Sequence, residues 1–321
     1  MRYSLTVLVS GLLTVVTLGV CLSLFPMNVH DQSYAMYAQA KDASLARSTK
    51  RSPLLVLGDS RPKAAILPNE LGPDVELLAL TGGTPIEAFY TLERYLSGHP
   101  APERILISIA AVHFKDGFVF WERTVKYDFL TRAQYEEVLS LSESLHDDIF
   151  GSPLEARWKL FAYRNKLLHV YLPELHSALI QLNRGSKNRL LYQALERDRG
   201  HCWFGTRERD GGAAYETGHA RFEVAPTFDR YFRRLLDRAL STGARVTFAA
   251  MPLNPRSRAA LSAKYVADYE AYFARIARAY PRIRFDYVWP VLPEEDFGDP
   301  NHVNARGARK VSARVRTLVG L

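Results

Sequence analysis

The chain has 321 residues, 47% of them hydrophobic and 24% charged, the balance of a globular protein and not of a disordered or fibrous one. Its 42 basic and 34 acidic residues leave a net charge of +8, but no basic block is interleaved with aromatics as single-stranded nucleic-acid binders require, so nucleic acid is not an expected partner. Two cysteines, Cys21 and Cys202, form neither a metal-ligand spacing nor a plausible disulfide, because the first lies in an apolar N-terminal segment.

That segment, residues 5–25, carries no charge and is long enough to cross a bilayer as a helix. Arg2 precedes it, while Asp31 and few bases follow it, which places the N-terminus on the cytoplasmic side. The expectation is an uncleaved single-pass anchor over residues 1–26 in the cytoplasmic (inner) membrane, with the rest of the chain on the periplasmic side. The alternative is a cleaved signal, for which the first small-x-small site is Ala38-Gln39-Ala40, well past the apolar run. Residues 27–52, with short side chains and scattered charges, read as a tether.

From residue 53 onward strands alternate with helices. Short apolar runs at 53–57, 75–80, 104–112, 244–250 and 283–288 read as strands buried on both faces. Amphipathic helices are expected over 86–96, 228–240, 265–279 and 304–318, with Gly243 closing the second of them. Residues 115–225 break the rhythm with aromatic-rich and charged helical stretches and a glycine-rich loop around Asp210-Gly211-Gly212. They form either a lid over the main domain or an enlarged crossover connection. Strand–helix alternation predicts an α/β domain over 53–321, built on a five-stranded parallel sheet with helices on both sides.

Ligands of such sheets bind beyond the carboxyl ends of the strands. Ser60 follows the first strand, Gly82 and Gly83 the second, His113 the third and Asn254 the fourth, and the fifth is followed by FGDPNHVNARG, with Asp299 and His302. A serine hydroxyl is a poor nucleophile unless a base takes its proton. His302 can be that base, and Asp299, three residues earlier, can accept from the other ring nitrogen. Backbone N–H groups of Ser60 and Gly83, with Gly82 as the register alternative, are candidate donors to a developing oxyanion. Each has a plainer reading: Gly58-Asp59-Ser60 and Gly82-Gly83 are also ordinary turn sequences, and His113 and Asn254 could be satisfied structural groups.

Gly-Asp-Ser after the first strand, a glycine after the second and Asp-x-x-His near the C-terminus, in this order, resemble the GDSL/SGNH serine hydrolases and acyltransferases from residue 53 to the end, the insertion excepted. The resemblance implies a flavodoxin-like sheet, Ser60 as nucleophile, His302 as base, Asp299 as its partner, and no metal or organic cofactor. It implies transfer of an acyl group, an acetyl group in the simplest case, from an ester to water or a sugar hydroxyl. Two departures stand out. Where the family places Gly-x-Asn after the third strand, whose asparagine donates to the oxyanion, this chain has Ala110-Ala111-Val112-His113, and His113 or Asn254 are the substitutes at hand. Arg61 stands where a leucine is common, either steering an anionic substrate or pairing with a nearby acid.

With the anchor, this gives a membrane-bound esterase or O-acyltransferase acting on an acylated envelope glycan, with polysaccharide-export proteins as expected partners. The alternative is a non-catalytic envelope protein that keeps the fold and uses the cleft for binding or assembly of a polysaccharide, a reading the missing asparagine favours.

Overall fold

A computed structural model describes residues 2–164, 166, 170, 172–205, 209 and 212–321. Asp210 and Gly211 of the glycine-rich loop lie outside the described residues. The N-terminal helices are α1 (Arg2–Leu24), α2 (Pro26–Val29) and α3 (Gln32–Leu45). Five strands follow, β1 (Leu55–Gly58), β2 (Glu76–Leu77), β3 (Arg104–Ser108), β4 (Arg245–Ala249) and β5 (Arg284–Asp286). Between β1 and β3 lie α4 (Ser60–Ala65), α5 (Pro68–Leu71) and α6 (Pro85–Gly98). The connection from β3 to β4 carries α7 (Arg132–Ser144), α8 (Pro153–Arg164), α9 (Leu172–Ile180), α10 (Arg184–Arg197) and the crossover helix α11 (Pro226–Ser241). The chain closes with α12 (Pro255–Ala260), α13 (Ala263–Ala279) and α14 (Ala305–Val319).

The sheet is wholly parallel, in the order β2-β1-β3-β4-β5, the doubly wound flavodoxin-like order, whose switch point falls between β1 and β3. The alternation of β1 explains why both faces need cover. Leu55 and Leu57 face a core shared with α6, α11 and α13, through Ile86, Phe89, Leu235 and Phe273. Leu54 and Val56 face a second core with α14, through Val311, Val315 and Leu318. The third strand is shorter than the run 104–112 predicts: Ala111–Phe114 turns as a 3-10 helix, because past Ser108 the backbone leaves the ladder to meet Asp59.

The segment read as a tether is folded. Asp31 caps α3 by accepting from the Ser33 N–H, and α3 packs against α6 and α10. Ala35, Tyr37 and Ala40 are fully buried, and the Tyr37 ring meets Tyr127 and Phe129 edge-on. Composition misled here because four of the six buried residues of α3, Ala35, Gln39, Ala40 and Ser44, are small or polar and do not read as a hydrophobic stripe. Ala38-Gln39-Ala40, the alternative cleavage site, lies inside this packed helix. Tyr37→Ala should therefore lower the stability of the full-length protein by about 3–5 kcal/mol, as for other large buried aromatics. Urea denaturation checks this, since a tether residue would leave the midpoint unmoved.

At the N-terminus α1 has 23 residues and spans about 34 Å at 1.5 Å per residue. None of its Tyr3–Cys21 stretch is buried, and it is long and apolar enough to cross a bilayer.

Candidate active site

Each residue of Gly58-Asp59-Ser60 has a distinct local task. At Gly58, with φ +149, a Cβ would fall 1.7 Å from the Ser108 carbonyl oxygen, so only glycine lets β1 leave the sheet this close to β3. Asp59 is fully buried and caps α4: its Oδ1 accepts from the Arg61 N–H at 2.8 Å and its Oδ2 from the Ala110 N–H at 2.5 Å. One carboxylate thus ties the ends of β1 and β3 together. Ser60 is the first residue of α4, and its N–H has no acceptor among the described residues.

The loop after β5 brings the histidine. His302 Nε2 lies 2.7 Å from Ser60 Oγ, 242 residues away in sequence. His302 Nδ1 lies 2.8 and 2.9 Å from the two oxygens of Asp299. Asp299 Oδ1 also accepts from the backbone N–H groups of Asn301 and His302, each at 2.8 Å, so the carboxylate fixes both the turn and the ring. Burial favours the neutral acid, but the His302 contact and the two backbone bonds outweigh it and hold the Asp299 pKa below the usual carboxylate range. An ionised carboxylate can only accept, so Nδ1 carries the proton and Nε2 presents its lone pair to the Ser60 hydroxyl.

Of the two candidate glycines the structure favours Gly82. The Gly83 N–H donates to the Leu80 carbonyl at 3.0 Å, and a Cβ on Gly83 would meet Gly58 O at 2.6 Å. Gly83 is therefore a close-packing residue with its donor occupied. Gly82 has φ +70 and an N–H without an acceptor among the described residues. Its peptide is fixed from the far side: Thr81 O accepts from Arg123 Nη1 at 2.7 Å and from the Tyr37 hydroxyl at 3.2 Å. A trans peptide directs its N–H opposite to its carbonyl, so α3 and the insertion together set where this donor points.

Arg61 does not stand free at the mouth. It is buried beside the fully buried Glu216, Nη2 to Oε2 at 2.6 Å, and also donates to Asn301 Oδ1 at 3.3 Å. Burial opposes its charge, but Glu216 and Asp59 prevail and hold its pKa above the usual arginine value. Asn301 Oδ1 accepts in addition from the Tyr215 N–H at 3.2 Å, which joins the insertion to the histidine loop. Asn254 is removed from the site-lining set. Its Oδ1 accepts from Ser257 N–H at 2.6 Å as the cap of α12, and its Nδ2 donates to Gly212 O at 2.8 Å. His113 sits against Asp59, Nε2 to Oδ2 at 3.8 Å. Burial lowers its pKa against the pull of Asp59, and its buried Nδ1 has no hydrogen-bond partner among the described residues. It lies behind the serine's capping residue.

Sequence reasoning missed the insertion's direct part. Phe204 stacks on the His302 imidazole with ring centres 4.4 Å apart, and a Cβ at Gly205 would meet Gly298 O at 2.1 Å. Residues 204–205 thus cover the histidine loop, and Glu216 neutralises Arg61. The insertion covers one side of the site and ends where the crossover helix α11 begins, at Pro226. A cavity of about 320 Å³ opens at the same sheet edge, bounded by Ala111, Val112, Lys115, His219, Phe222 and Tyr265. A larger one, about 610 Å³, lies between Asp147, Arg221 and Arg275, and neither cavity is lined by Ser60 or His302.

No protein-family model and no curated protein matches the chain. Among solved structures, one provisionally described as a platelet activating factor from Streptococcus pneumonia superposes with a TM-score of 0.40 and 11% identity, over 94% of this chain and 99% of that one.

Proposed function

We propose that the protein is a membrane-anchored SGNH-type serine esterase or O-acyltransferase. One observation carries this reading: the chain Ser60 Oγ–His302 Nε2 at 2.7 Å and His302 Nδ1–Asp299 Oδ2 at 2.8 Å, assembled from loops at two strand ends. Ser60 Oγ attacks the ester carbonyl while its proton passes to Nε2. Asp299 stabilises the imidazolium that results. The N–H groups of Ser60 and Gly82 meet the oxyanion of the tetrahedral intermediate, and one such donor contributes about 3 kcal/mol to the barrier. The imidazolium then returns its proton to the leaving alcohol as the ester C–O bond breaks, which leaves an acyl-serine. Water, or a sugar hydroxyl deprotonated by the same Nε2, attacks that ester and regenerates Ser60.

An acylated envelope glycan is the substrate class that suits a domain held at the periplasmic face of the inner membrane by α1. The deciding experiment treats the full-length protein with a serine-reactive fluorophosphonate and with p-nitrophenyl acetate. The expected result is covalent labelling and ester cleavage by the wild type, both lost in Ser60→Ala. Absence of labelling in a folded wild type would replace this reading with a non-catalytic, polysaccharide-binding one.

A further inference from the structure

The foot of α1 is built into the insertion. Asn28, four residues past the end of α1, touches Gly185 so closely that a Cβ there would fall 1.8 Å from its Oδ1. Arg184 Nη1 donates to Val29 O at 2.6 Å, and Asn188 Nδ2 to Met27 O and His30 O at 2.8 Å each. Arg189 Nη1 reaches Asn28 Oδ1 at 3.1 Å. On the other side Tyr163 and Val170 pack on Val29. The corner between α9 and α10 is therefore seated beside the point where α1 ends.

That corner carries large apolar side chains in the open. Leu179 is 62% exposed, Ile180 70% and Leu182 88%. Lys187 and Arg189 follow on the exposed side of α10. Apolar side chains with cations a turn or two away are the composition of a segment lying at the headgroup–acyl boundary of a bilayer. A cluster of this kind is unfavourable in water.

We propose that the α9–α10 corner is a second membrane contact, in which Leu179, Ile180 and Leu182 enter the interfacial layer of the bilayer that α1 crosses while Lys187 and Arg189 meet lipid phosphates. The proposal rests on the membrane reading of α1 and not on the ester chemistry. It fixes the rotation of the domain about the anchor, because a contact beside the helix adds a second point to the first.

The test uses the full-length protein with Cys21→Ala, in which Cys202 is buried, carrying an added cysteine at one of three positions: Leu182→Cys, Leu12→Cys in α1, or Val291→Cys on an exposed loop. Each variant is labelled with an environment-sensitive nitrobenzoxadiazole dye and reconstituted in phosphatidylcholine–phosphatidylglycerol vesicles containing lipids brominated near the headgroup end of the chain. A label at 182 should lose about half of its emission, as expected for a group roughly 5–10 Å deep, while the label at 291 keeps its emission. Quenching by deep-brominated lipids at 12 but by neither lipid at 182 overturns the proposal and leaves the anchor intact. No quenching at either position overturns both. Energy transfer between labels at 182 on different molecules, without quenching by lipid, would assign the corner to a second copy of the chain and also overturn it.

Discussion

His302→Ala should lower the turnover of an activated ester by about four orders of magnitude, with little change in KM. The effect falls on kcat because Nε2 acts on the Ser60 proton, 2.7 Å away, only as the bond to the carbonyl forms. The imidazole also stacks on Phe204, so the variant should be slightly less stable, by about 1 kcal/mol at most. Steady-state kinetics beside a urea titration separate the two effects. A fall of only tenfold, with the fold intact, would mean that Ser60 is activated by some other group or not at all.

The second large effect is on stability. Glu216→Ala should cost about 3–5 kcal/mol, because it removes the carboxylate paired with the buried Arg61 guanidinium and leaves Asn301, at 3.3 Å, as its hydrogen-bond acceptor among the described residues. The double variant Arg61→Met/Glu216→Leu should recover most of that loss, since a buried pair exchanged for apolar groups of similar volume is often close to neutral. Chemical denaturation of the wild type, Arg61→Met, Glu216→Leu and the double gives the coupling energy directly. A double variant as unstable as Glu216→Ala would show that the carboxylate matters for reasons other than Arg61. Because both side chains are nearly inaccessible, added salt should change these differences little.

Much of the site was legible because its parts are tied to strand ends. Five apolar runs ending in Gly-Asp-Ser, Gly-Gly, Ala-Ala-Val-His, Pro-Leu-Asn and Asp-Pro-Asn-His place their polar residues on one edge of a parallel sheet, whatever the details of the helices. That is why Ser60 and His302 could be paired from sequence although 242 residues separate them. What failed to show were contacts with no local signature. Glu216 lies 155 residues from Arg61, inside a stretch without strand rhythm, and nothing near it announces a buried acid. Gly82 and Gly83 are indistinguishable as letters. They differ in the fold: the N–H of Gly83 closes a turn on Leu80, while Gly82 takes the left-handed conformation. For Asn254 the plainer of the two readings has a local signature: it is the cap of α12, and Asn-Pro followed by a helix is itself a capping signal.

The packing of α3 also bears on what the protein can touch. A random coil over residues 27–52 would let the domain roam roughly 30 Å from its point of attachment. Instead, α2 follows α1 after the single residue Phe25, and α3 is locked between α6 and α10 with Tyr37 in the core. The slack that would let the domain sweep a disc of surface is gone. Ser60 is therefore held at a fixed position relative to α2 and α3, one residue from the end of α1. Residues inserted directly after Phe25 would restore that slack and leave the clamp of Arg184 and Asn188 on Met27, Val29 and His30 in place, so the short junction itself sets the reach.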